Sequence, residues 1–467
     1  MKKNDFKLFH FMGWMGVVFF LAGCGIPVVQ IDNNVVESPL RNATGITTQQ
    51  VMKAAHSKQL SLWDVYALAV KRTESLAIQS ENIQQAYAQR GEAIGDILPH
   101  IELNGTEGGN SKSYTSNAFT GNSALGALPY NTLYFSGAET ILSGLNQIAA
   151  LEGASDQITE QTQTMKNDAA QLLLNIANAF YSILELRSSQ KSEEDILQLT
   201  QKILRTQKAW AKIGRSQQSD VYSTEAQLDQ TLAQMESIKD QLVQAWGTLS
   251  ALAGIQPDQP LIRTEHEKRP PLKSLSQLEA MANHRPDVQA AEAANQLASA
   301  QVLQAEGQFL PSLSVVGDYY LEKTGSFPSP TWDIELQASI PIFTGGVLVD
   351  QAKIAESQKR QAELNLHSVK RLAMNQIREA YQSLLQSIRE KNAYAKALTA
   401  SRKDYQAVLR DFHLNLMTTV DLMQTLTNLE TVSNSYVQSR YQVLYDQIWL
   451  KVETGQLPII PGSRMHS

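Results

Sequence analysis

From Trp332 to Ile342 the chain alternates strictly. Trp332, Ile334, Leu336, Ala338, Ile340 and Ile342 are apolar, and Asp333, Glu335, Gln337, Ser339 and Pro341 lie between them. A period of two predicts a strand with one apolar and one polar face. Just upstream, Leu313, Val315, Gly317, Tyr319 and Leu321 alternate with Ser312, Ser314, Asp318 and Glu322, which predicts its partner. Elsewhere the period changes. From about Gly144 to Lys212 there is no proline, and a helix of roughly 70 residues reaches about 105 Å. A turn at GRSQQS (214–219) reverses it, and Val221 to Ala253 returns with a heptad of Leu228, Leu232, Met235, Lys239, Leu242, Trp246, Leu249 and Ala253. Rods of this length belong to a duct or a spacer and are rare in globular cores.

The pattern occurs twice. ILPHIELNG (97–105) is echoed by FLPSLSVVG (309–317). A constant offset of 201 then pairs Ile141 with Ile342, Gly144 with Gly345, Phe180 with Tyr381, Asp220 with Asp421 and Gly254 with Gly455. Two copies are too few for a solenoid and indicate a duplicated protomer. Each copy reads as helix, strand pair, long helix, returning helix, with the two shorter helices together as long as the long one. The expected organisation is a first copy at 61–254 (strand pair 99–142, hairpin 144–254), a linking segment at 255–276, a second copy at 277–455 (strand pair 310–343, hairpin 345–454) and a tail at 456–467. The fold class is mainly α with a β part. The apolar side of the last strand, with Trp332, Ile334, Leu336 and Ile340, suits lipid, and the Ser/Gly/Pro-rich loops near 113–129 and 324–330 suit exposure. Four strands cannot close a barrel alone, so the chain is expected to oligomerise.

The first residues change the picture of where this happens. Lys2, Lys3 and Lys7 precede an apolar run from Phe11 to Ala22, too short to span a bilayer and typical of a signal peptide over 1–23. Leu21, Ala22 and Gly23 lead into Cys24, the single cysteine of 467 residues. It can form neither an internal disulfide nor a metal cluster. Leu21-Ala22-Gly23-Cys24 resembles the bacterial lipobox, which implies that Cys24 becomes the acylated N-terminus of a segment 24–60; Gly25 in place of Asp implies sorting to the outer membrane. The remaining chain has 37 basic and 45 acidic residues without long blocks of one sign, so nothing points to nucleic acid.

With the lipobox, the duplicated Leu-Pro (Leu98-Pro99, Leu310-Pro311), PIFTGG (341–346) and RPDV (285–288), the sequence resembles the TolC/OprM family of outer-membrane channel proteins over nearly its whole mature length. The resemblance implies a homotrimer with a 12-stranded β-barrel among outer-membrane lipids, continued by a long α-helical barrel in the periplasm. It further implies a periplasmic adaptor and an inner-membrane pump of the resistance-nodulation-division type. The duct then conducts small molecules passively across the outer membrane of a Gram-negative bacterium. Two other readings stand beside it: an export duct for a type I secretion system, and a lipid-anchored periplasmic coiled-coil scaffold. Two departures from the family are visible. Asn415 stands where the first copy has Gly214, and TTVDLMQT (418–425) keeps Asp421 but has Gln424 where many members carry an aspartate.

No enzyme can be assembled from the chain. The eight histidines form no HxxxH or HExxH, no P-loop or nucleophile elbow occurs, and the expected cofactors are none beyond lipid on Cys24. The candidate gate lies at the hairpin ends, at Asp220, Asp421, Val420 and Gln424. The two aspartates occupy equivalent places. They are expected either to cap their helices or, if they point inward, to form a carboxylate ring whose members raise one another's pKa.

Overall fold

The computed structural model describes Arg41 and residues 44–108, 130–257, 259–262, 273–323 and 331–456. Cys24 and the lipobox residues lie outside these, as do both predicted loops and residues 457–467 of the tail. Helix α1 (Thr48–Ala55) precedes α2 (Leu62–Arg72), α3 (Glu74–Gly95), β1 (His100–Gly108), β2 (Tyr130–Ser143), α4 (Asn146–Lys212) and α5 (Gln218–Ala253). The second copy runs α6 (Leu275–Glu279), a 3₁₀ turn (Ala280–His284), α7 (Pro286–Gly307), β3 (Ser312–Lys323), β4 (Trp332–Ser339), α8 (Val347–His413) and α9 (Thr419–Glu453). Both long helices have 67 residues, about 100 Å each.

The first helix expected in the first copy is interrupted at Thr73, whose backbone is extended and whose hydroxyl donates to the Ala69 carbonyl at 2.7 Å. The first helix expected in the second copy is likewise broken, at Arg285. Pro286 at the first position of α7 disfavours a helical residue before it, and Arg285 is extended. These breaks make room for a collar. Leu60 pairs with the 255–262 segment through Leu60 N–H to Pro260 O and Ile262 N–H to Leu60 O, both 2.9 Å. Leu62, Val65 and Leu76 pack with Leu173, Ile176 and Phe180 of α4, Trp246 and Leu249 of α5, and Leu444 and Ile448 of α9. The most apolar stretch of α4 is thus core.

Above the collar α3 packs on α4, and α7 sits between α4 and α8; below it α5 packs on α4, and α9 on both α4 and α8. The layer reads α3 with α5, then α4, then α7 with α9, then α8. The strands form one antiparallel sheet in the order β1-β2-β3-β4, with the two hairpins joined where β2 meets β3. Register puts Leu103, Phe135, Tyr319 and Trp332 in one row, with Gly137, Gly317 and Ile334 in another and Val315 beside Leu336, all on one face. Tyr134, Tyr320 and Asp333 are on the other side: the tyrosine rings are 5.2 Å apart, and Tyr320 donates to Asp333 at 3.4 Å. Strand β4 stops at Ser339, earlier than the alternation suggests. Pro341 has no N–H for the ladder, so Ile340 lies beyond the strand and is exposed.

Candidate functional site

The hairpin ends are built alike from different residues. Gly214 turns the first end with φ 72°, and Asn415 turns the second with φ 57°, the one non-glycine with positive φ among the described residues. Asparagine is among the few residues that accept this conformation. The ends are held together by aromatic contact. Trp210 lies 5.2 Å from Phe412 between ring centres, and the Arg215 guanidinium covers the Trp210 ring at 5.1 Å.

Both candidate aspartates sit at the third position of the returning helix and bond back to their own turn. The Asp421 carboxylate accepts from the Thr418 hydroxyl at 2.6 Å and the Thr418 N–H at 3.0 Å, and the Thr418 hydroxyl in turn accepts from the Asp421 N–H at 3.2 Å. These bonds hold the Asp421 carboxyl below the usual carboxylate range, hydroxyl first and backbone second, against a smaller opposing desolvation. Within one chain the direction is therefore the opposite of that expected for a repelling ring. Asp220 accepts from the Ser216 hydroxyl at 3.0 Å and the Gln217 N–H at 3.3 Å. Val420 and Gln424 are exposed, and so are Leu414, Leu416 and Met417, which gives the second end an apolar surface.

The residue that links the ends is Gln207, which sequence reasoning passes over. Fully buried on α4, it donates from Nε2 to the Thr419 hydroxyl at 2.8 Å and accepts at Oε1 from the Ser216 hydroxyl at 2.5 Å. One side chain thus ties the turn of the first copy to the first residue of α9 in the second. Further up the α4–α9 seam come the hydroxyls of Ser192 and Ser433 at 2.7 Å, Asn434 Nδ2 donating to Glu193 at 2.6 Å, and Ser188 against Tyr441 at 2.9 Å. A buried glutamine inside a proline-free helix has no local signature; its meaning comes from α9, more than 200 residues away.

At the other end of the rods, Trp332, Ile334 and Leu336 stand out on the apolar face of the sheet, each more than half exposed. Among the described residues, β1 and β4 each leave an edge without a partner strand. The PIFTGG motif acquires a reason here. Gly345 and Gly346 are consecutive left-handed residues that lead from β4 into α8. The first copy turns with Gly144 alone, pressed so closely on the end of α7 that a Cβ there would stand 2.2 Å from the Gly307 carbonyl oxygen.

A sheet with one exposed apolar face on top of a two-copy bundle of 100 Å helices has known counterparts. The family model described as outer membrane efflux protein matches residues 278–456, the whole second copy. The outer membrane protein TolC of Salmonella enteritidis is 26% identical over 421 residues, covering 86% of this chain and 83% of TolC, and so both copies. The chain is similar to the TolC-like outer-membrane efflux proteins along most of its length. The outer membrane efflux protein BepC of Brucella suis is 23% identical over 331 residues, with 70% of this chain and 71% of BepC covered. Among solved structures, the outer-membrane channel OprN superposes with a TM-score of 0.75 at 14% identity, covering 89% of this chain and 96% of OprN. The two copies therefore share one fold with proteins whose sequences have diverged widely.

Proposed function

We propose that three copies of this chain close into a 12-stranded barrel in the outer membrane and a continuous helical barrel beneath it. The observation that carries this is the pairing of two open edges. The β1 edge follows α3, and the β4 edge precedes α8, so the free edge of the sheet and the free side of the helical layer coincide at each flank of the protomer. Head-to-tail closure of identical copies satisfies both at once. Charge supports the same joint: α8 carries twelve Lys and Arg against seven Asp and Glu, whereas α3 and α5 together carry two against eight. The exposed face with Phe135, Tyr319, Trp332, Ile334 and Leu336 then meets lipid, and the face with Tyr134, Tyr320, Asp318 and Asp333 lines the lumen.

The duct passively conducts small molecules handed over by an inner-membrane pump of the resistance-nodulation-division type through a periplasmic adaptor, which engages the hairpin ends. The lipobox supports acylation at Cys24 as a second anchor. Two experiments test the proposal. Purified protein should migrate as a trimer in sodium dodecyl sulfate until boiled and should form ion-conducting channels in planar bilayers, and a monomer without conductance under both conditions refutes closure. Mass spectrometry of the N-terminal peptide should find a lipid-modified Cys24, and a free thiol or residues before Cys24 refutes the anchor.

A further inference from the structure

We propose that Glu193 and Glu430 form a proton-operated latch between the two copies, which holds the helical barrel closed in acid and releases it as the pH rises past neutrality. This deepens the channel reading and rests on it for its functional consequence.

The two carboxyls meet across the α4–α9 seam, the contact that joins the long helix of the first copy to the returning helix of the second. Glu193 is fully buried and Glu430 half-buried; Asn434, which bonds to Glu193, lies one helical turn beyond Glu430 on α9, and this brings the two carboxyls to the same point of the seam. Asn434 donates to Oε1 of Glu193, which leaves Oε2 of Glu193 and Oε2 of Glu430 buried without a described donor. A single proton between the carboxyls supplies that donor, and two ionised carboxylates at this distance in a dry seam would repel strongly. Among the described residues, no ion pair includes either carboxyl. Glu430 is the sole charged residue of α9 between Asp421 and Arg440. The charged residues near the same level of the packed helices are Lys191, Glu194 and Asp195 on α4, Glu236, Lys239 and Asp240 on α5, and Lys396, Arg402, Lys403 and Asp404 on α8, all exposed.

Burial first, then the charge and hydrogen bond of Glu193, push the Glu430 carboxyl up to about 7, and burial raises Glu193 as well. A raised carboxyl binds more protons in the folded seam than in the open one. Its stabilisation is fully present below the ordinary value of 4.5 and is lost as the pH climbs through about 7. Immediately beside the pair, Ser192 and Ser433 approach to 2.7 Å, close enough for a disulfide to replace the proton as the fastening.

The test uses the purified trimer in planar bilayers and in thermal unfolding. Conductance of the natural protein should rise at least about threefold from about pH 6 to about pH 8, and its melting temperature should fall over the same interval. Glu430→Gln, which keeps a donor between the carboxyls at every pH, should hold conductance at the acid level and flatten the melting profile. Ser192→Cys with Ser433→Cys, made in Cys24→Ala behind a non-lipoprotein signal, should abolish the rise when oxidised and recover it with dithiothreitol. A rise that survives Glu430→Gln, or the oxidised pair, overturns the latch. So does a flat natural profile, or a step set by calcium concentration and not by pH, which identifies a cation site. The melting profile needs no conduction, so a protein that never conducts defeats the channel reading while the latch is still judged on stability.

Discussion

The two copies break their shorter helices at the same place, 212 residues apart, and fill the break with opposite chemistry. In the first copy Thr73 bonds back to Ala69 and the surroundings are apolar. In the second, Arg285 is buried with its guanidinium donating to Asp287 at 2.8 Å, to Gln376 of α8 at 2.8 Å and to Glu453 near the end of α9. Glu453 is also held by the Trp449 indole N–H at 3.0 Å. A threonine closes a break within its own chain segment. An arginine closes it by pulling three helices to one point. The first copy already has the collar helices α1 and α2 to brace it; the second has only short α6 and a 3₁₀ turn, and the ion-pair cluster takes their place.

Breaking the cluster is the largest single effect expected. Arg285→Ala leaves Glu453 buried beside an aspartate with no cation, at a cost of about 3–5 kcal/mol, while Thr73→Ala, which loses one local bond, costs about 1 kcal/mol. Urea unfolding of the two variants checks the contrast. Equal losses would mean that the cluster is surface decoration and that the copies are braced alike.

The strand pairs are the second contrast, next in size. The second pair alternates cleanly in sequence and β2 of the first does not, yet both pairs share one apolar face in the sheet. If that face meets lipid, Leu336→Arg and Phe135→Arg should both abolish membrane-inserted trimers, each at about 2–4 kcal/mol per copy, whereas Gln337→Arg and Ser136→Arg on the other face should be tolerated. Trimer yield from membranes decides it. Loss in the second copy alone would restrict the lipid-facing surface to β3 and β4.

What could be read from sequence follows from the range of the forces. The long helices, the hairpin turns and β4 announce themselves because period and proline spacing are local. Strand β2 hides, since its pairing with β3 skips Ile141 between Thr140 and Leu142, which changes the phase of its alternation. Ile340 is read as strand because alternation continues past the proline that ends the ladder. Asp287 looks like an ordinary helix-start carboxylate and is in fact half of the Arg285 cluster. Gln207, Glu193 and Glu430 give no signal at all: each is one more polar residue on a helix until the other copy is laid against it. The aspartates at the hairpin ends are legible as helix starts, and the structure places both in that role.

The ends of the hairpins give the smallest effect and the sharpest separation between them. Asp421 is fastened by the Thr418 hydroxyl, and Asp220 by the hydroxyl of Ser216, which it shares with Gln207. Thr418→Ala should therefore act on the second turn alone, at about 1 kcal/mol for a lost cap. Removing the hydroxyl takes away the main cause of the depressed Asp421 pKa, so the carboxyl should move back toward its ordinary 3.8, a shift that carboxyl NMR titration can follow. The sign sets the pH window. A depressed carboxyl contributes stability that is present above its unfolded value and lost as the pH falls through its folded one, so the gap between Thr418→Ala and the natural protein should narrow in strong acid to the part due to the lost hydroxyl cap on the Asp421 N–H, and be constant from mildly acidic pH upward. Near neutrality neither should show a step from this residue. Ser216→Ala, by contrast, also releases Gln207 and with it the bond to Thr419, so it should loosen the joint between copies and raise conductance at all pH values. Equal conductance in the two serine and threonine variants would mean that Gln207 holds the ends together through Thr419 alone.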